Sequence, residues 1–148
     1  MNPKTIAIGS DHAAYAVKEE LKKLLAELGW EVTDFGTHGP ESCHYPDIAH
    51  PLAAAVAAGR FSRGVLLCGT GLGMAYAANR HPGVRAADCW SKETAVLARE
   101  HNDSNILVLP GRVATIDPLP EILRAWLDTP FSNGERHRER IAKIELPR

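Results

Sequence analysis

One stretch of this chain joins a thiol to a run of closely spaced backbone amides: Leu67-Cys68-Gly69-Thr70-Gly71-Leu72-Gly73-Met74. Glycine at alternate positions lets the backbone turn sharply and approach a ligand. A helix starting there would add unpaired N–H donors suited to an anion or an oxyanion. Beside such donors the Cys68 thiol is expected to fall below its ordinary pKa of about 8.5 and become a usable base or nucleophile. The plainer alternatives are a tight structural turn and a small buried hydrophobe. Named phosphate loops do not fit. The Walker A lysine is missing, Met74 stands where the third glycine of G-x-G-x-x-G belongs, and the same Met74 replaces the arginine of a cysteine-phosphatase loop.

Further polar residues fall at element ends. Asp11-His12 follows an apolar run directly and reads either as a helix cap or as part of a site. His101-Asn102 opens a polar segment leading into another apolar run, and histidine is the side chain most easily tuned for proton transfer near neutral pH. Arg112, Arg136, Arg138 and Arg140 offer guanidinium forks that suit phosphate. Arg136 and Arg140 are four apart and would share a helix face, although pairing with Glu135 and Glu139 on a solvated helix fits that spacing equally well. His38, His44, His50 and His81 show no metal-ligand spacing, and no HExxH or Cys/His cluster occurs, so no metal is expected. Cys43 and Cys89 lack a comparable setting and read as structural.

The elements that must position these groups alternate. Strand-like runs cover Thr5–Gly9, Glu31–Phe35, Gly64–Cys68, Val84–Ala87 and Asn105–Leu109. Helical periodicity covers Ala13–Leu28, Ile48–Ala58, the segment from the glycine turn through Asn79, Ser91–Arg99, Pro118–Leu127 and Glu135–Ile144. Pro51 is expected in the first turn of its helix, since an interior proline costs about 3 kcal/mol. About five strands, each followed by a helix, predict a three-layer α/β fold: a doubly wound parallel sheet with helices on both faces and an extra C-terminal helix. Ligands in such folds bind beyond the carboxyl ends of the strands, where strand order reverses. That places Asp11, His12 and the Cys68 turn at one mouth.

With 148 residues, one domain over 1–148 is expected. A net charge of −1 argues against a nucleic-acid-coating or polybasic membrane surface. Apolar stretches fall short of the ~18 residues of a membrane span. Three cysteines without CxxC, and no apolar signal region, point to a cytoplasmic location.

Taken in order, Gly9-Ser-Asp-His-Ala13, Tyr45-Pro-Asp47, Cys68-Gly-Thr-Gly-Leu-Gly-Met74 with Ala77-Ala-Asn79, Gly83-Val-Arg-Ala-Ala87, Arg99-Glu-His-Asn-Asp-Ser-Asn105, and Phe131 with Gly134, Arg136-His137 and Arg140 resemble the ribose-5-phosphate isomerase B family, which includes the galactose-6-phosphate isomerase subunits. The resemblance implies a Rossmann-like or flavodoxin-like sheet and aldose–ketose isomerisation of a phosphorylated sugar, foremost ribose 5-phosphate, without metal or organic cofactor. It also implies a homodimer or a tetramer built from dimers, with the site at the subunit interface. By position, Cys68 resembles the base that moves a proton between C2 and C1. Thr70 with the amides of Gly69, Gly71, Leu72, Gly73 and Met74 would hold the enediolate oxygens. His101, with Asp11, would open the sugar ring. Asn102 and Tyr45 would contact the sugar, and His12, Arg112, Arg136 and Arg140 would clamp the phosphate. Two departures bear on substrate length: His44 replaces the usual Asp, and Gly134-Glu-Arg-His137 lies one residue further from Phe131 than the family's Gly-Gly-Arg-His. A tetrose 4-phosphate, or a hexose 6-phosphate such as galactose or allose 6-phosphate, is the alternative substrate. A non-catalytic phosphate- or nucleotide-binding module is the rival from another class.

Overall fold

A computed structural model describes residues 4–147. Its elements are β1 (Thr5–Ser10), a 3-10 turn (His12–Ala14), α1 (Tyr15–Glu27), β2 (Glu31–Asp34), α2 (Tyr45–Ala57), β3 (Arg63–Cys68), α3 (Leu72–Ala78), β4 (Ala86–Asp88), α4 (Lys92–Glu100), β5 (Ile106–Pro110), α5 (Leu119–Asp128) and α6 (Glu135–Ala142). The five strands form one sheet in the order β2-β1-β3-β5-β4, and every pairing is parallel.

The direction of each crossover decides the face its helix covers. From β1 the chain steps outward to β2, and from β4 it steps back to β5; α1 and α4 lie on one face, joined by α5. The steps β2 to β3 and β3 to β4 run the other way, so α2 and α3 cover the opposite face. A right-handed connection leaves no other choice. Because both faces are covered, the central strands are continuous apolar runs. In β3, Val65 and Leu67 pack under α1, α4 and α5, while Leu66 and Cys68 pack under α2 and α3.

Three local expectations shift. Helix α2 begins at Tyr45 rather than Ile48, so Pro46 takes the first turn and Pro51 falls inside the helix. Pro51 is exposed, and the carbonyl that loses its partner belongs to exposed Asp47, where water can serve it. Strand β4 starts two residues late, because the Asn105 side chain takes the Arg85 amide and Val84 closes a turn onto His81. Helix α6 stops at Ala142 rather than Ile144 and buries no residue.

Candidate active site

Strands β1 and β3 are neighbours, and the helices that follow them leave on opposite faces. The crevice of a doubly wound sheet therefore opens at the ends of these two strands. Asp11 and Cys68 sit on its two lips. The Asp11 amide donates to Leu67 O at 3.1 Å, which ties the lips together. One carboxylate oxygen of Asp11 accepts from the Ala13 amide at 3.0 Å, so Asp11 is a cap as well as a resident of the mouth.

His12 follows on the 3-10 turn. Its Nδ1 accepts the Cys43 amide at 3.1 Å, which requires the proton on Nε2 and leaves that N–H as a donor. The loop before α2 thus fixes the tautomer. At the start of α2, Tyr45 lies against the glycine turn: a Cβ added to Gly73 would come within 2.6 Å of its ring.

The turn from Cys68 to Met74 is built as its sequence suggests, with one left-handed residue. Gly71 has φ +85° and caps α3. Thr70 Oγ1 accepts the Leu72 amide at 3.2 Å, and the amides of Gly71 and Met74 point at the Cys68 sulfur. Gly69 O accepts the Arg112 amide at 2.9 Å, which brings Arg112, on the loop after β5, to the same mouth. The Arg112 side chain is exposed.

The thiol departs from expectation. Burial pushes Cys68 above its ordinary range; the two amides oppose this, and the nearby carboxylates of Asp11 and Asp88 reinforce it. Desolvation of a side chain only 5% exposed outweighs two hydrogen bonds, so Cys68 is a stronger base with a smaller thiolate population. Asp88, at the end of β4, lies against the Gly71 backbone of this turn, and the sequence reading passes over it because that strand is expected to end at Ala87. A lone carboxylate closing an apolar strand was the available signal. Cys89 is buried and held up at about 11, in keeping with a structural role.

His101, Asn102, Arg136 and Arg140 lie elsewhere. Helix α4 runs back from the mouth, so its C-cap His101 arrives where β5 begins. There Asn105 O accepts the Gly64 amide at the start of β3, and Arg85 Nε donates to Asn102 O. The ladder from Gly64–Ile106 to Cys68–Pro110 separates the two ends, a length of about 15 Å. Helix α6 belongs to the far end too, since His137 stacks on His101 with ring centroids 4.4 Å apart. Arg136 and Arg140 are exposed on that helix. One chain therefore carries two separate clusters: Asp11, His12, Tyr45, the Cys68 turn and Arg112 at the carboxyl ends, and His101, Asn102, Arg136 and Arg140 at the amino ends.

Large apolar side chains stand exposed around the mouth: Tyr45 at 38%, Leu72 at 44%, Tyr76 at 61% and Trp90 at 36%. Trp90 Nε1 donates to Thr70 O at 3.2 Å, and Leu72 and Tyr76 are one turn apart on α3. A concavity of about 610 Å³ lies away from this chemistry, between Asn79, Arg80, Val84 and the tail residues Ile144–Leu146. Among the described residues no three His, Cys, Asp or Glu side chains gather as metal ligands. Among the same residues no helix is long and apolar enough to cross a membrane.

Comparison with known proteins places this arrangement in context. Residues 6–144 match the model of a family described as Ribose/Galactose Isomerase. The chain is 41% identical to ribose-5-phosphate isomerase B of Escherichia coli, over 95% of this chain and 94% of that one. It is 42% identical to D-erythrulose-4-phosphate isomerase of Pectobacterium atrosepticum, over 88% of this chain and 86% of that one. Among solved structures, ribose-5-phosphate isomerase B of Clostridium thermocellum superposes with a TM-score of 0.91 at 48% identity, covering 95% of this chain and 94% of that one.

Proposed function

Because the chain belongs to the ribose/galactose isomerase family and is an aldose–ketose isomerase of a phosphorylated sugar, we propose that it interconverts ribose 5-phosphate and ribulose 5-phosphate at a site shared by two copies. The observation that carries this reading is the division of the site residues between opposite ends of the sheet. In a two-fold dimer the same patch of each subunit faces the other. Two protomers set antiparallel bring each mouth against the far end of its partner, and both sites are completed at once. The exposed rim of Tyr45, Leu72, Tyr76 and Trp90 supplies the apolar surface that such a contact would cover. Two such dimers can pair further into a tetramer.

The chemistry then follows from the residues. The partner subunit's His101 and Asn102, with Asp11, face the sugar ring and assist its opening. The Cys68 thiolate removes the C2 proton of the open aldose; electrons shift to the carbonyl oxygen and leave a cis-enediolate. Thr70 and the amides of the glycine turn hold the developing charge, a contribution of about 10²–10³ in rate per donor. The O2 proton passes to O1, and Cys68 returns its proton to C1, which leaves the C2 carbonyl of the ketose. His12 Nε2–H, Arg112 and the partner subunit's Arg136 and Arg140 fix the phosphate at the other end of the sugar. The lengthened segment before α6 shifts Arg136 relative to the pocket, so Arg112 is the firmer of these two as a phosphate ligand.

A tetrose 4-phosphate is the second reading, favoured by the 42% identity to the Pectobacterium enzyme. Comparing kcat/KM over phosphorylated tetroses, pentoses and hexoses separates the two. The reaction class is tested by NMR in D₂O. Ribose 5-phosphate is expected to lose its C2 hydrogen signal in an enzyme-dependent way. Binding without that exchange would leave only a phosphate-binding module.

A further inference from the structure

Asp88 closes β4 with a carboxyl group packed against the glycine turn. A Cβ added to Gly71 would lie 2.2 Å from its Oδ1 and 3.0 Å from its Oδ2, so the group rests on the Gly71 backbone. Oδ1 is buried and has no hydrogen-bond partner among the described residues. Among the described residues, the indole of Trp90, already bonded to Thr70 O, is the one side-chain donor that reaches the carboxyl. A buried carboxylate oxygen with no partner costs free energy that a leucine would not. Its position suggests what that cost secures.

We propose that Asp88 is a positioning residue of the isomerisation, whose carboxylate, held against the turn, sets how readily Cys68 releases its proton. The groups that face it are few. Cys68 comes from β3, Cys89 is its neighbour on β4, the Trp90 indole covers one side, and from α3 only the Gly71 backbone approaches. Among the described residues no Lys, Arg or His acts on it, and its charge adds to burial and to Asp11 in holding the Cys68 thiol up, as the smallest of the three. Ionised Asp88 makes the thiolate scarcer and more basic. Removal of the C2 proton neutralises the sulfur, moves its charge to the enediolate oxygens and relieves that repulsion at the sulfur. Burial holds Asp88 itself at about 6, so its charge changes within the range where such an enzyme works. The effect on turnover rests on Cys68 as the base; the effect on the thiol does not.

The test titrates the Cys68 thiol by its ¹³Cβ shift in protein labelled at cysteine, alongside the pH profile of kcat. In Asp88→Asn the thiol titration and the acidic limb of kcat are both expected to move down, and by the same amount. Asp88→Ser, smaller and also neutral, repeats the measurement should the Asn variant fold poorly by circular dichroism. A thiol titration unchanged in a folded variant overturns the proposal. So does a shifted kcat profile over an unshifted thiol. A shifted thiol under an unchanged kcat profile overturns the bearing on turnover, and with it the reading of Cys68 as base.

Discussion

His101 stacks face to face on His137, with ring planes 13° apart, and fastens α6 to the end of α4 at the edge of the sheet remote from Cys68. A protomer cannot bring its own His101 to its own Cys68 without taking the sheet apart. Cys68→Ala and His101→Ala homodimers are each expected to be near-inactive. Refolded together in equal amounts they should regain about one quarter of wild-type turnover, because half the random pairs are mixed and each holds one intact site. Activity staying at the single-variant level would show that the two residues do not share a site across subunits.

Cys68→Ser keeps the shape of the turn but replaces the thiol with a far weaker acid. Turnover is expected to fall by about 10²–10⁴, with KM changed only a few-fold, since the phosphate contacts are untouched. Steady-state kinetics on ribose 5-phosphate reads both numbers. Full activity in this variant would remove Cys68 from the proton transfer.

Gly73→Ala places a methyl within 2.6 Å of the Tyr45 ring, which is 38% exposed and free to swing outward. Folding is expected to survive while KM rises. A double variant with Tyr45→Ala should be no worse than Tyr45→Ala alone, because the added methyl acts by displacing the ring that Tyr45→Ala removes. Additive losses would mean that Gly73 acts through its own amide instead.

Lys18 on α1 is fully buried and bonds Asp34 of β2 at 2.5 Å. Burial works against ionisation of Asp34, but Lys18, Lys22 and the Gly36 amide outweigh it and hold its carboxyl below the usual range. A depressed carboxylate contributes stability above its unfolded pKa and loses it as pH falls through the folded value. Lys18→Met is expected to cost about 2–4 kcal/mol in urea unfolding at pH 7. The deficit should shrink on acidification below pH 4.

Asp88 has the opposite sign. Its folded pKa of about 6 lies above the ordinary 3.8, so its neutral form is the favoured one. The stability tied to that form is complete below the unfolded value and is lost as pH rises through about 6. Asp88→Asn should therefore be more stable than wild type at pH 8 by about 1–3 kcal/mol, and equal to it near pH 3.5. Thermal unfolding at the two pH values decides this.

The order of elements, the crossover pattern and the switch point at β1 and β3 were legible because each depends on residues near one another in sequence. An apolar run such as Val65 to Cys68 must be covered on both faces, wherever the rest of the chain lies. A helix that precedes a parallel strand delivers its last residue to that strand's beginning, which sets His101 away from the mouth once the sheet is assembled.

The sequence by itself determined the doubly wound sheet, the glycine turn with its thiol, and the inventory of polar groups that family likeness assigns to a sugar phosphate. Tertiary structure alone decided three things: that these groups form two clusters about 15 Å apart, that Asp88 joins the Cys68 turn, and that the thiol is pushed up rather than down. The reason is the same for all three. Helix and strand signals are local sums over a few residues, whereas burial at Cys68 is set by β3, α2 and α3 together. The balance between a desolvated charge and the amides aimed at it exists only once those elements have packed.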